Sequence, residues 1–163
     1  LFTWGLAGLL HFLKEYSSWR YFWVLSRTWI LSLVFVQGLF LFLGARAYAQ
    51  DVAWIETEMV QASRWIAENT QQSDLIAAHD IGALGYYSDR EILDLAGLIS
   101  PEVIPFMRNE DRLAEFLDQK QVKYLMTFPS WYPDLINGRE MVYQTAGKSI
   151  FSVEPMTIYD WVP

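Results

Sequence analysis

The longest uninterrupted apolar run of the chain lies between Thr28 and Ala45. These eighteen residues carry no charge, and Gln37 is their one amide. As a helix they extend about 27 Å, close to the roughly 30 Å of a bilayer core. The run therefore predicts a membrane-spanning helix over about residues 21–45. The alternative, a buried helix of a soluble protein, is disfavoured because such helices are usually shorter and less uniformly apolar.

A second apolar stretch, Leu1 to Leu13, is too short to span a bilayer by itself. We expect it to be the end of an earlier membrane helix in a longer chain. The connector that follows contains Lys14 and Arg20 against Glu15. Short basic loops lie on the cytoplasmic side. The next helix is then expected to run outward, which puts residues after about 48 outside the cytoplasm.

The pattern changes at residue 50. Apolar residues recur at steps of three and four from Gln50 to Thr70, which predicts a helix with Glu58 among its polar positions. Short apolar runs then predict strands at 74–78, 92–95 and 123–128, and a helix over 109–119 with Asn109 as its N-cap. A hairpin is predicted from 140–145 and 149–153, around Ala146-Gly147, with a last strand over 156–161.

The fold class predicted is α/β: one to two transmembrane helices followed by a small mixed-sheet α/β extracytoplasmic domain. The first region is 1–48, with a partial helix over 1–13. The second, 49–163, is the extracytoplasmic domain.

Charge separates the two regions further. Residues 1–50 hold four basic residues and one acid, whereas residues 51–163 hold eight basic residues and eighteen acids. An acidic globular part argues against nucleic acid as a partner, because phosphates require a basic face. The chain has no Cys, which excludes disulfides, thiolate catalysis and Cys-ligated zinc, iron–sulfur or haem centres. No cofactor is expected.

Four polar residues near a glycine turn form a weak candidate site: His79, Asp80, Asp89 and Asp94. Imidazole and carboxylates suit divalent metals and acid–base chemistry. A structural role as turn-forming residues is the favoured alternative, because Asp residues near a Gly turn usually form hydrogen bonds with their own backbone. The Gly82-Ala83-Leu84-Gly85 run lacks the phosphate-loop spacing and predicts a structural turn. His11 is expected to be interfacial, and no catalytic residue is assigned.

Five aromatic residues in the last third of the chain could form a sugar-stacking or partner-docking surface, but packing in the domain core or on the membrane is the favoured interpretation. They are Trp131, Tyr132, Tyr143, Tyr159 and Trp161.

The run HDIGALGYYSDREILDLAGLISPEV, from His79 to Val103, is the most distinctive stretch. With the helix ending in Trp65-Ile66, it resembles the C-terminal extracytoplasmic domains of bacterial GT-C-class glycosyltransferases, the group that includes protein O-mannosyltransferase-like enzymes. The resemblance covers roughly residues 28–130. It implies a polyprenyl-phosphate-sugar donor and a catalytic acid in an early outer loop, so the segment in hand is the non-catalytic outer domain, beside an N-terminal transmembrane domain outside this sequence.

A second hypothesis is a non-enzymatic accessory subunit of a larger membrane complex, such as one of respiratory or photosynthetic electron transport. Its partners are then other membrane protein subunits as well as the lipid bilayer. The two hypotheses share a cell-membrane location with the C-terminal domain on the periplasmic side.

Overall fold

The structure is a computed structural model of the chain, and it describes residues 2–15, 21–147 and 154–161. The chain divides into two compact units, Leu1–Tyr48 and Ala49–Pro163. Each unit is described by itself below.

The first unit consists of helix α1 (Phe2–Glu15) and most of helix α2 (Phe22–Trp54). An apolar cleft of about 500 Å³ lies between them and is lined by residues such as Leu9, Phe12 and Trp29. The side chains of the uncharged run are exposed, Phe35 and Phe40 to 70% each. Helix from Phe22 to Asn69 is long and apolar enough to cross a membrane, and none of its most apolar window is buried.

The helical path continues from α2 without a break, through a π-helical segment (Ile55–Val60) into α3 (Gln61–Asn69). The wider turn of a π helix shifts the positions that follow relative to the 3.6-residue period. Met59, Ala62 and Ile66 are buried, as their spacing predicts. The prediction for Glu58 was wrong: the side chain is fully buried, because the period used to place it does not hold inside the π segment.

The second unit contains a five-stranded mixed sheet, which confirms the predicted α/β class. Its strands are β1 (Leu75–Ala78), β2 (Glu91–Asp94), β3 (Tyr124–Thr127), β4 (Met141–Gln144) and β5 (Thr157–Asp160). The spatial order is β2-β1-β3-β5-β4. β1 pairs parallel with β2 and β3, while β5 pairs antiparallel with β3 and β4.

Helices cover both faces of this sheet, and alternate strand residues point to opposite faces. Ile76 and Met126 pack with the π segment, α3 and the short helix α4 (Gly82–Tyr87). Ala77 and Leu125 pack with α5 (Glu110–Gln119) on the other face. Burial on both sides explains why the strand sequences are continuous apolar runs rather than alternating ones.

Helix α5 begins as predicted, because the Asn109 side-chain oxygen accepts a hydrogen bond from the Arg112 amide at 2.9 Å. One other local prediction was not met. The Gly82–Gly85 turn is the first part of α4, a helix rather than a simple turn. Strand β4 pairs with β5, in the register Gln144 opposite Thr157. Its predicted partner, 149–153, lies outside the described residues.

Candidate functional site at the carboxyl edge of the parallel strands

Strands β1, β2 and β3 end at the same edge of the sheet, which we call the carboxyl edge. The central strand β1 has β2 on one side and β3 on the other, so the chain changes direction across the sheet at β1. In open α/β sheets, ligands bind outside the carboxyl ends of strands at such a point.

His79 follows β1 directly and lies at this edge. Its Nδ1 is 2.6 Å from the phenol oxygen of Tyr132, a residue in the loop after β3. The edge of the Trp131 ring system meets the imidazole, with ring centroids 4.8 Å apart. The loops after β1 and β3 are thus joined by one hydrogen bond and one aromatic contact.

The phenol of Tyr132 is buried, and burial raises its pKa to about 12, with further contributions from the charges of Glu110 and Asp94. The phenol therefore keeps its proton at neutral pH. A protonated phenol can donate this hydrogen bond to Nδ1 in one imidazole tautomer or accept it from Nδ1–H in the other. The pair fixes the orientation of the His79 ring.

Asp94 ends β2 opposite Ala78, beside the start of the His79 loop. Its carboxylate is fully buried, and it accepts hydrogen bonds from the backbone amides of Ala96 and Ile99, both at 2.8 Å. The Asp94 amide is in turn 3.1 Å from the hydroxyl oxygen of Ser100, which accepts its hydrogen bond. Asp94 thus holds the loop after β2 by its backbone, as expected of an Asp that forms a turn.

Gly97 lies within this loop and has a positive φ of 78°. A Cβ atom at Gly97 would lie 2.6 Å from Cγ1 of Ile104, so the space beside the backbone is already occupied. Three residues of the run from Leu93 to Glu102 therefore have a structural role: the Asp94 carboxylate, Gly97 and the Ser100 hydroxyl each fix one part of the loop.

Of the remaining two candidates, Asp80 follows His79 at the carboxyl edge, and Asp89 lies elsewhere. Asp80 is half-buried, and its Oδ1 lies 3.9 Å from the position of a Cβ on Gly82, at the start of α4. Asp89 precedes β2 and therefore lies at the opposite edge of the sheet, where it accepts a hydrogen bond from Gln72 at 3.1 Å. No group of three His, Asp or Glu side chains suited to a metal ion occurs in the part of the chain that the structure describes.

Most of the candidate aromatic residues are packed against other side chains rather than exposed to solvent. Tyr132, Tyr159 and Trp161 belong to the buried core, and Tyr143 stacks on Trp65 at 5.1 Å. Trp131 is the exception, at 41% exposure. The favoured prediction of core packing is confirmed for the three buried rings.

Two structural residues were missed by the sequence argument. Glu58 accepts hydrogen bonds from the Thr145 hydroxyl and from the Met156 amide, the latter at 3.0 Å. Arg90 donates to the carbonyls of Ala67 and Thr70 at 2.8 and 2.9 Å, and so caps the end of α3. Both contacts join residues far apart in sequence, so no local pattern indicates them.

The second unit is an α/β domain with a parallel three-stranded core, preceded by a helix long enough to cross a membrane. The model of the family described as "Domain of unknown function (DUF8728)" matches residues 46–160, and the chain belongs to that family. The matched segment contains the whole sheet and both edges.

One relative is a protein of Schizosaccharomyces pombe (strain 972 / ATCC 24843) described as an uncharacterized calcium-binding protein. It is 34% identical over 64 residues, which is 39% of this chain. The match spans 33% of the fungal protein, about a third of its length. Calcium binding is stated of that protein.

Proposed function

We propose that the chain is the membrane-anchored, non-catalytic outer domain of a GT-C-like glycosyltransferase that uses a polyprenyl-phosphate sugar. The observation that carries the proposal is the run from His79 to Val103, which resembles such domains and which builds two of the three loops at the carboxyl edge. The family match adds no activity, since the family is one of unknown function.

Membrane anchoring is part of the proposal. The uncharged run from Thr28 to Ala45 has exposed apolar side chains along its length, and exposed apolar surface of that extent is unfavourable in water. Trp23 and Trp29 near one end and Tyr48 near the other suit the two interfacial zones of a bilayer. Lys14 and Arg20 set the cytoplasmic side, so the second unit lies outside the cytoplasm.

A supporting rather than reacting role suits the geometry of the carboxyl edge. The Asp94 carboxylate is occupied by two backbone amides, and Nδ1 of His79 is occupied by Tyr132. These groups hold loops in place. A domain that supports loops beside the membrane can shape the site where an acceptor approaches, while the catalytic acid belongs to an earlier outer loop of the longer protein.

A second candidate function is an accessory subunit of a membrane complex, such as one of electron transport. The exposed apolar side chains of Leu98 and Ile99, 78% and 61% exposed, favour it, because a protein partner could cover them. Such a subunit would stabilise its complex by packing.

The two functions are distinguished with the full-length protein purified in mild detergent. The purified protein is incubated with undecaprenyl-phosphate hexoses radiolabelled in the sugar and with an extract of its own membranes as the source of acceptor. Transfer of label to the acceptor, with release of undecaprenyl phosphate, is measured against the same mixture without the protein. Glycosyltransferase function predicts release from at least one donor. Absence of release from every donor, together with co-purification of a stable redox complex, would reject the first proposal in favour of the second.

A further inference from the structure

The loops at the carboxyl edge expose apolar side chains that glycosyl transfer, the first function proposed above, does not use. Leu98, Ile99 and Ile104 lie in the loop after β2, and Trp131 lies in the loop after β3. Their exposed fractions are 78%, 61%, 55% and 41%. We call these four residues the apolar edge. Isolated exposed apolar residues are ordinary, but a group on adjacent loops marks a surface that contacts something other than water.

The members of the apolar edge are neighbours in the fold. β1 lies between β2 and β3, and the Leu95 amide donates to the Ala78 carbonyl at 2.9 Å, which places the loop after β2 beside the end of β1. On the other side, Trp131 contacts His79. The row therefore runs from the loop after β2, across the end of β1, to the loop after β3.

The polypeptide enters the second unit at this same edge. The Trp54 ring stacks on Phe128, the residue that follows β3, with centroids 5.6 Å apart. Phe128 in turn contacts Trp131 at 5.0 Å. The second unit begins at Ala49, and the helix from Ala49 to Trp54 is about 7.5 Å long at 1.5 Å per residue. The segment from Ala49 to Trp54 therefore connects this entry point covalently, along the chain, to the first unit.

The loop after β2 is also nearly uncharged. Residues 51–163 carry eighteen acids and eight basic residues, yet the loop from Leu95 to Arg108 contains one acid, Glu102, and one base, Arg108. A neutral, apolar loop avoids the repulsion that acidic surfaces meet at an anionic lipid headgroup layer. Trp is also among the residues enriched at the interface between lipid and water.

We propose that the apolar edge rests in the interfacial zone of the lipid bilayer, with Leu98, Ile99, Ile104 and Trp131 in contact with lipid. The proposal rests on the membrane anchoring stated above and is independent of sugar transfer. Four side chains alone would bind a bilayer weakly, but a covalent anchor a few residues away keeps them at high local concentration beside it.

The test uses the absence of Cys from the chain, so that each introduced Cys is the single labelling site. Three variants of the whole chain are placed in lipid nanodiscs and labelled with an environment-sensitive fluorophore: Ile99→Cys on the apolar edge, Val36→Cys within the uncharged run, and Gln119→Cys. Gln119 is exposed and ends α5, which runs from the carboxyl edge to the opposite edge. It is therefore the matched water-exposed control.

Lipids with a nitroxide on the acyl chain, lipids with a nitroxide near the headgroup, and aqueous iodide serve as the quenchers. The expected result is that the label at 36 loses most of its emission to the acyl-chain nitroxide and the label at 99 to the headgroup nitroxide, while the label at 119 is quenched by iodide only. Leu98→Cys repeats the measurement at a second position, and unchanged circular dichroism shows that each variant is folded.

Three outcomes overturn the proposal, and they are distinguishable. If the label at 36 is not quenched by lipid, the chain is not anchored in the membrane, and contact of the apolar edge with lipid is wrong as well. If 36 is quenched but 99 behaves like 119, the edge faces water and only docking is wrong. If 99 is shielded from both quenchers, a protein partner or a second copy of the chain covers the edge instead of lipid.

Discussion

Replacing the Asp94 carboxylate tests whether one buried side chain holds the loop after β2. Its two oxygens accept backbone hydrogen bonds from Ala96 and Ile99 at 2.8 Å each, and the residue is fully buried. In Asp94→Asn, the amide oxygen can replace one acceptor, but the amide nitrogen then faces a backbone N–H. One charge-assisted hydrogen bond is lost and a backbone donor is left without its acceptor.

The magnitude follows from the value of such bonds. A hydrogen bond to a charged group contributes about 1.5–3 kcal/mol, and an unsatisfied buried donor is costly in the same range. We therefore expect Asp94→Asn to lower the free energy of unfolding of the second unit by about 2–3 kcal/mol. Asp89→Asn is the matched control, since Asp89 is exposed and the hydrogen bond described for its carboxylate comes from the side chain of Gln72. Its expected effect is below about 0.5 kcal/mol.

The assay is urea unfolding of the whole chain in detergent micelles, followed by tryptophan fluorescence. Trypsin cleavage after the exposed Arg108 provides a local measurement, because opening of the loop after β2 should accelerate cleavage there in Asp94→Asn and not in Asp89→Asn. Equal stability of the two variants, with equal cleavage rates, would refute the assignment of Asp94 as the residue that holds the loop.

Three further predictions concern the membrane helix, the buried phenol and the orientation of the chain. Val36→Arg should impair membrane insertion, because an Arg near mid-helix costs about 2.5–3.5 kcal/mol. Carbonate extraction should release this variant but not the control Val36→Leu, and equal retention of both would contradict the membrane span. Burial raises the pKa of Tyr132 to about 12, so above pH 10 the folded chain keeps the phenol proton while the unfolded chain loses it. The free energy of unfolding should therefore fall by about 1.4 kcal/mol per pH unit between pH 10 and 12. Tyr132→Phe should fall less steeply over that range, and identical slopes in urea titrations would show that the phenol is not protected. Gln119→Cys in intact spheroplasts should react with a membrane-impermeant maleimide, and labelling only after lysis would place the second unit in the cytoplasm.

Much of the fold was accessible from the sequence because its signals are local. The strands β1, β2 and β3 follow from short apolar runs, and α5 follows from its period and from Asn109. The position of Glu58 was not accessible, since a π segment breaks the period on which the helical face was predicted. The pairing of β4 with β5 was also missed, because the predicted hairpin assumed a tight turn at Ala146-Gly147.

The candidate site also contains residues whose role the sequence indicated and residues whose role it did not. Asp94 was selected for its place at the end of a strand, and the favoured interpretation of the Asp residues as turn formers fits its hydrogen bonds. Tyr132 was considered only as an aromatic residue, although its phenol binds His79. The two residues are 53 positions apart, and only the parallel pairing of β1 and β3 brings their loops together. A single sequence carries no signal of that pairing.

The buried carboxylate of Glu58 links the start of the second unit to its end. Its two hydrogen-bonding partners, Thr145 and Met156, follow it by 87 and 98 residues. During synthesis, the helix that contains Glu58 is made long before either partner exists. The carboxylate therefore has these two partners only after Thr145 and Met156 have been made, so in a chain that folds during synthesis the contact between the π segment and the start of β5 is a late one.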